Sequence, residues 1–165
     1  MQFSIIAAYA NNRVIGNGEQ IPWRLTKEDS KRYRPDMERF AHLTIHHPVI
    51  MGRVTYDSLP EKFRPLPNRP NLVITRDERY FREGIMVCHS LDGAMLDAEN
   101  LDTLAFIAGG QQVYELAIHD QRVTRMDLTE IHGDYKGDKF FPEFSLNDWK
   151  DIKRLEQEYY SFVTY

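Results

Sequence analysis

Two groups of residues in this chain have the types and spacing to do chemistry. The first is a set of glycines and arginines that follow apolar runs. Gly109 and Gly110 separate the run Leu104–Ala108 from a helical pattern in which Val113, Leu116 and Ala117 share a face. Backbone without side chains at a helix start lets a phosphate or diphosphate approach bare N–H groups at the positive end of the dipole. Glycine also ends strands for packing reasons alone. Gly52-Arg53 and Thr75-Arg76 each follow a further apolar run. In an open parallel sheet, ligands bind beyond the carboxyl ends of strands. Arg53 and Arg76 at such ends would clamp an extra phosphate in bidentate fashion, favouring a phosphorylated dinucleotide; ordinary surface charge is the plain alternative. The second is a set of carboxylates, Glu28, Asp29 and Asp36, in a charged stretch after Trp23, to which only the resemblance stated below gives a role.

Other chemistries lack support. No H-E-x-x-H or paired Cys/His spacing is present, so no metal site is expected. His46-His47 precedes a strand and reads as a solvated turn. There is no G-x-S-x-G, and no G-x-G-x-x-G follows the first strand. The single cysteine, Cys88, excludes an internal disulfide and reads as a buried small hydrophobe. The formal net charge of −4 argues against a nucleic-acid partner. The opening MQFSIIAAYANN lacks a basic start, and no apolar run is long enough to span a membrane, so a cytoplasmic protein is expected.

The elements that must position these residues follow from periodicity. Phe3–Tyr9, Pro48–Gly52, Asn71–Thr75, Ile85–Cys88, Leu104–Ala108, Val123–His132 and Tyr159–Tyr165 read as strands. Glu28–Thr44, interrupted by Pro35, reads as helical, as do Val54–Leu59 and Leu91–Asn100. The four prolines of Pro60–Pro70 make a rigid loop. Ile21-Pro22-Trp23 closes a polar, glycine-containing loop with a large ring that either packs on the core or covers a ligand. Strands alternate with helices until about residue 118 and dominate afterwards, which is an α/β domain with a mostly parallel sheet and an antiparallel C-terminal addition.

With these residues assembled, the chain resembles the dihydrofolate reductase family over nearly its whole length. SIIAAYANNRVIG (Ser4–Gly16), IPWRL (Ile21–Leu25), PDMERFAHLT (Pro35–Thr44) and PVIMGRVTYDSLP (Pro48–Pro60) carry the resemblance. RPLPNRPN (Arg64–Asn71), AGGQQVYE (Ala108–Glu115), LTEI (Leu128–Ile131) and GDKFFP (Gly137–Pro142) complete the series in family order. The resemblance implies one domain over residues 1–165, with a twisted, mostly parallel sheet of about eight strands and helices on both faces. It also implies NADPH-dependent reduction of 7,8-dihydrofolate, with hydride delivered to C6 and a proton to N5, by a monomer.

That reaction needs a carboxyl group in an apolar cleft, where desolvation raises its pKa. Counting forward from Trp23 points to Glu28 or Asp29; counting back from Pro48 points to Asp36. Between these anchors the chain exceeds the family pattern by about two helical turns. KEDSKRY (Lys27–Tyr33) and RPDMERF (Arg34–Phe40) echo each other, with Asp29 and Asp36 in equivalent places. Asp36 is favoured, because Pro35 suits a first helical turn and Met37 and Phe40 supply apolar neighbours. Against it, Thr26 with Asp29 forms a capping-box-like start.

By the same transfer, Asp36, Trp23, Ile21 and Thr129 make the catalytic group. Ile6, Ala8, Met37 and Phe40 line the pterin site. Leu66 and Arg69, with Arg64 beside them, meet the benzoyl-glutamate tail. Ala8, Ile15, Gly52, Arg53, Thr55, Thr75, Arg76, Gly109, Gly110, Gln112 and Tyr114 hold the cofactor. Asp138 matches the family's loop-stabilising acid. Val54, Ala108 and Lys139 depart from the family pattern. A pyrimidine reductase of riboflavin synthesis on the same scaffold is disfavoured by Arg69 and the acidic helix.

Overall fold

The computed structural model describes residues 1–165. Strand β1 (Gln2–Ala10) is followed by a three-residue strand β2 (Val14–Gly16) and a 3₁₀ turn, Pro22–Arg24. Helices α1 (Lys27–Arg32) and α2 (Arg34–Thr44) come next, then β3 (Val49–Gly52), α3 (Arg53–Asp57), β4 (Asn71–Ile74) and β5 (Met86–Cys88). The remainder is α4 (Leu91–Glu99), β6 (Leu104–Ile107), α5 (Gln111–Ala117), β7 (Val123–Ile131), β8 (Lys139–Phe140), β9 (Lys153–Glu156) and β10 (Tyr160–Thr164).

Eight strands form one sheet in the order β5-β4-β3-β6-β1-β7-β10-β9. The first six are parallel; β10 adds antiparallel to β7, and β9 adds antiparallel to β10. The apolar runs explain this. A parallel sheet covered on both faces needs continuous hydrophobic strands, and Val49, Ile50 and Met51 of β3 are all buried. One face packs α4 and α5 through Met95, Ala98, Val113 and Ala117 against Ile5 and Ile50. The other packs α2 through Phe40 and Leu43, partly buried, against Ile6, Met51 and Phe106. β6 is inserted between β3 and β1, so the strand order turns back there and opens a crevice beyond the carboxyl ends.

The charged stretch after Trp23 divides into two helices for identifiable reasons. Thr26 caps α1, its hydroxyl accepting the Asp29 N–H at 3.0 Å while the Asp29 carboxylate accepts the Thr26 N–H at 3.3 Å. Pro35 falls in the first turn of α2, where its missing N–H costs nothing; as a continuation of α1 its ring would meet the carbonyl of Lys31. Tyr33 is the junction.

The structure also differs from the sequence reading. β2 pairs with β8 in a separate small sheet, and β9 forms the outer edge of the main one. The first two are too short for a period to register, and every residue of β9 is exposed, so it carries no buried face to read. His47 is not simply a solvated turn residue: its Nδ1 lies 2.7 Å from Asp102 and its ring packs near Phe106. No helix is long and apolar enough to cross a membrane.

Candidate active site

A cleft of about 1880 Å³ runs across the carboxyl ends of the parallel strands. It is lined by every residue the sequence singled out for the site except Gly109, Arg64, the loop acid Asp138 and the alternative acids Glu28 and Asp29. Gly109 instead turns its carbonyl to accept the Gly52 N–H at 2.7 Å, tying the end of β6 to the end of β3. It holds φ at +97°, and a Cβ there would lie 2.9 Å from the Tyr114 ring. Its contribution is to the shape of the cradle, not to the lining. Arg64 donates to the Asp57 carbonyl at 2.8 Å and points its function there.

Asp36 enters the cleft from the first turn of α2. Its carboxyl pKa is raised, because burial penalises the charged form; the Thr129 hydroxyl and the guanidinium groups of Arg24 and Arg39 oppose that rise without cancelling it. Thr129 comes from β7 and pairs in register with Ala8 of β1, so the central strands present both to the same wall. Asp29 does not line the cleft. It is committed to Thr26, whose hydroxyl also donates to it at 2.8 Å, and it sits 3.8 Å from Arg32.

Arg24 and Arg39 were not found from the sequence. Arg39 lies three residues beyond Asp36, on the same side of α2, which is the signal that would have located it. It is anchored beneath the cleft: Nη2 is 3.4 Å from Asp127, Nη1 donates to the Leu128 carbonyl, and its guanidinium stacks on Phe162 at 4.8 Å. Asp127, 1% exposed, also pairs with Arg125 at 2.7 Å and accepts from Ser4 and Thr164. Burial alone would raise its pKa, but the Arg125 hydrogen bonds lead a group of partners that hold it below the usual range. Arg24 follows Trp23, and its Nε is buried without a partner.

Trp23 is only 2% exposed. It packs with Ala10, Val14, Tyr33, Ile131 and Tyr160 and still borders the cleft, so it belongs to the core and to the site at once. Ile21, two residues earlier, is exposed at the cleft edge. The Gly18 N–H donates to Asp138 at 3.0 Å and Lys139 Nζ donates to the Gly18 carbonyl at 2.7 Å, which pins the loop leading to Trp23.

At the opposite wall, Arg69 is half-buried and forms no ion pair with any carboxylate; it donates to the Pro67 carbonyl at 2.9 Å and to the Thr44 hydroxyl. Leu66 is held by Asn71, which both donates to and accepts from its backbone. Beyond the carboxyl ends of β3 and β4, in the same cleft, Arg53 contacts Asp57 at 3.3 Å, whereas Arg76 is exposed and unpaired. A Cβ on Gly110 would lie 3.0 Å from the Thr55 hydroxyl, so glycine leaves that side chain its place in the cleft wall.

The fold and cleft define a class: an α/β protein with a desolvated carboxyl at one end of a sheet crevice and arginines with glycine-bare backbone at the other. A family model described as dihydrofolate reductase matches residues 2–164. The chain is 36% identical over 156 residues to a dihydrofolate reductase of Staphylococcus aureus, covering 94% of this chain and 87% of that protein. It is 33% identical over 172 residues to dihydrofolate reductase HdrB of Haloferax volcanii, covering 100% and 83%. Among solved structures, a dihydrofolate reductase from Enterococcus faecalis complexed with NADP(H) and RAB-propyl superposes with a TM-score of 0.83 at 28% identity, over 99% and 94% of the two chains. This chain belongs to the dihydrofolate reductase family.

Proposed function

We propose that this chain reduces 7,8-dihydrofolate to 5,6,7,8-tetrahydrofolate, with NADPH as cofactor. The observation that carries the reading is Asp36, a carboxyl of raised pKa facing a cleft deep enough for two ligands. Asp36 accepts hydrogen bonds from the pterin amino group and ring nitrogen, fixing the ring, and favours protonation at N5 through water. Thr129 holds the carboxyl, and Ile6, Ala8, Met37 and Phe40 provide the apolar walls that keep it desolvated. Arg69, lacking an acid of its own, is free to pair with the glutamate carboxylate, with Leu66 beside the benzoyl ring.

The cofactor end fits its ligand. Gly52 and Gly110 bring side-chain-free backbone to the cleft, where a flat or phosphorylated group can approach it, and Arg53 and Arg76 match an extra phosphate. Ile15, Thr55, Thr75, Gln112 and Tyr114 line the same trough. When bound, NADPH supplies the hydride. Ile21 and Trp23 close over the junction of the two ligands and exclude water from it.

We further infer one domain over residues 1–165, a monomer, working in the cytoplasm. All three core clusters pack on the main sheet, and the only cysteine is buried and free. Gel filtration tests the monomer. Oxidation of NADPH with dihydrofolate, with Asp36→Asn beside the parent protein, tests the activity; equal turnover by both would remove Asp36 from the mechanism.

A further inference from the structure

The segment that lengthens this chain after Trp23 ends in Tyr33, and Tyr33 touches three parts of the molecule. It is 2% exposed and lies in the cluster that contains Trp23. Its hydroxyl hydrogen-bonds the Tyr135 hydroxyl at 3.1 Å. Its ring is 6.4 Å from that of Tyr160, on β10. Next to it, the Arg32 guanidinium sits 4.4 Å over the Tyr159 ring.

Tyr135 is held equally well. The Asn12 amide donates to its carbonyl at 2.8 Å, and its N–H donates back to Asn12 at 3.4 Å. Its ring meets Trp23 edge-on, with centroids 5.8 Å apart and planes at 72°. Burial and, after it, the bond to Tyr33 push the Tyr135 phenol up to about 12, so it keeps its proton at working pH.

These contacts close a ring. Trp23 abuts Tyr135, Tyr135 bonds Tyr33, and Tyr33 stands three residues before Asp36 at the entry to α2. The Trp23 indole N–H bonds no other protein group, so the protein's own hold on the ring is the packing of neighbouring side chains, Tyr135 among them.

We propose that Tyr33 and Tyr135 are positioning residues, whose hydroxyl–hydroxyl bond sets Trp23 against the start of the helix that carries Asp36. The idea rests on the functional reading above for its effect on turnover. Its structural half does not depend on that reading. A single hydrogen bond joins the loop to the helix, so removing either hydroxyl loosens both walls of the pterin pocket without emptying the core.

The test uses the full chain with Trp149→Phe as background, leaving Trp23 as the only tryptophan. Tyr33→Phe, Tyr135→Phe and the double variant keep both rings and remove only hydroxyls. Each single change is expected to raise acrylamide quenching of Trp23 emission. Each is also expected to raise KM for dihydrofolate about 2- to 10-fold, the equivalent of one net hydrogen bond, with a smaller change in kcat. The double variant matches either single, because all three lack the same bond. A lowered melting temperature with unchanged quenching and KM means simple packing and overturns the proposal, as do additive effects in the double variant. Should the parent protein fail to turn over dihydrofolate, the functional reading falls, while the quenching measurement still decides the coupling.

Discussion

Asp29 and Asp36 stand seven positions apart, yet Asp29 bonds the backbone N–H and hydroxyl of Thr26 at the start of α1 while Asp36 faces the cleft from α2. Their sequence surroundings echo each other, and their chemistry does not. Asp29→Asn is therefore expected to weaken a helix cap by about 1 kcal/mol and leave turnover intact. Asp36→Asn is expected to abolish dihydrofolate reduction. Urea melts and NADPH oxidation assays on the two variants separate these outcomes, and loss of turnover in Asp29→Asn alone would reverse the assignment.

The raised pKa of Asp36 has a sign for stability. Its charged form is disfavoured in the folded ligand-free protein, so ionisation at neutral pH costs stability. Asp36→Asn should melt higher than the parent at neutral pH. The advantage should shrink as pH falls and vanish below the ordinary aspartate value of 3.8, where the parent carboxyl is protonated in both states. Calorimetry across that range gives the answer, and a gain that grows on acidification contradicts the argument.

Arg24 lowers the Asp36 pKa against the desolvation that raises it. Arg24→Met removes that charge, so the acid limb of the kcat/KM profile moves to higher pH. Activity should fall more on the acid side than at neutral pH. A variant profile displaced uniformly, with no shift of the limb, would count against it.

Arg69 has no carboxylate partner within the protein, which is the basis of its proposed pairing with the substrate's glutamate tail. Arg69→Leu should raise KM for dihydrofolate about 10- to 100-fold, the range for losing a charge-assisted hydrogen bond of 1.5–3 kcal/mol. A dihydropterin without the glutamate tail should not distinguish the two proteins. Equal losses for both substrates would move Arg69 out of the tail site.

Asp127 balances Arg39 and Arg125 from a position almost closed to solvent. Asp127→Asn leaves two guanidiniums without their acid, one of them 16% exposed, and should cost about 3 kcal/mol, the lower end for breaking a buried pair because Arg125 can rehydrate. Because the Asp127 pKa is depressed, its contribution is present at neutral pH and is lost only as pH falls below the ordinary value of 3.8. Denaturant midpoints at neutral and acid pH measure both parts.

Much of this molecule was legible in its residues. Continuous apolar runs gave the parallel strands, because a strand covered on both faces has no polar side to show. Pro35 separated the two short helices, since proline fits a helix start and not its interior. Glycine and arginine after strands β3, β4 and β6 marked the cleft, because ligands meet a parallel sheet at its carboxyl ends. The choice of Asp36 over Asp29 was weighed from Pro35, from the apolar neighbours Met37 and Phe40, and from the family register that runs without a gap from Asp36 into Pro48.

What tertiary structure decided was which charges meet. Arg24 and Thr129 come to Asp36 from two other elements, and Asp127 gathers partners from β1, α2, β7 and β10. Tyr33 finds Tyr135 across 102 positions of chain. Local propensity and periodicity act over a few residues and fix the elements. Desolvation and charge pairing act through space, so their outcome exists only once the sheet has brought distant segments together.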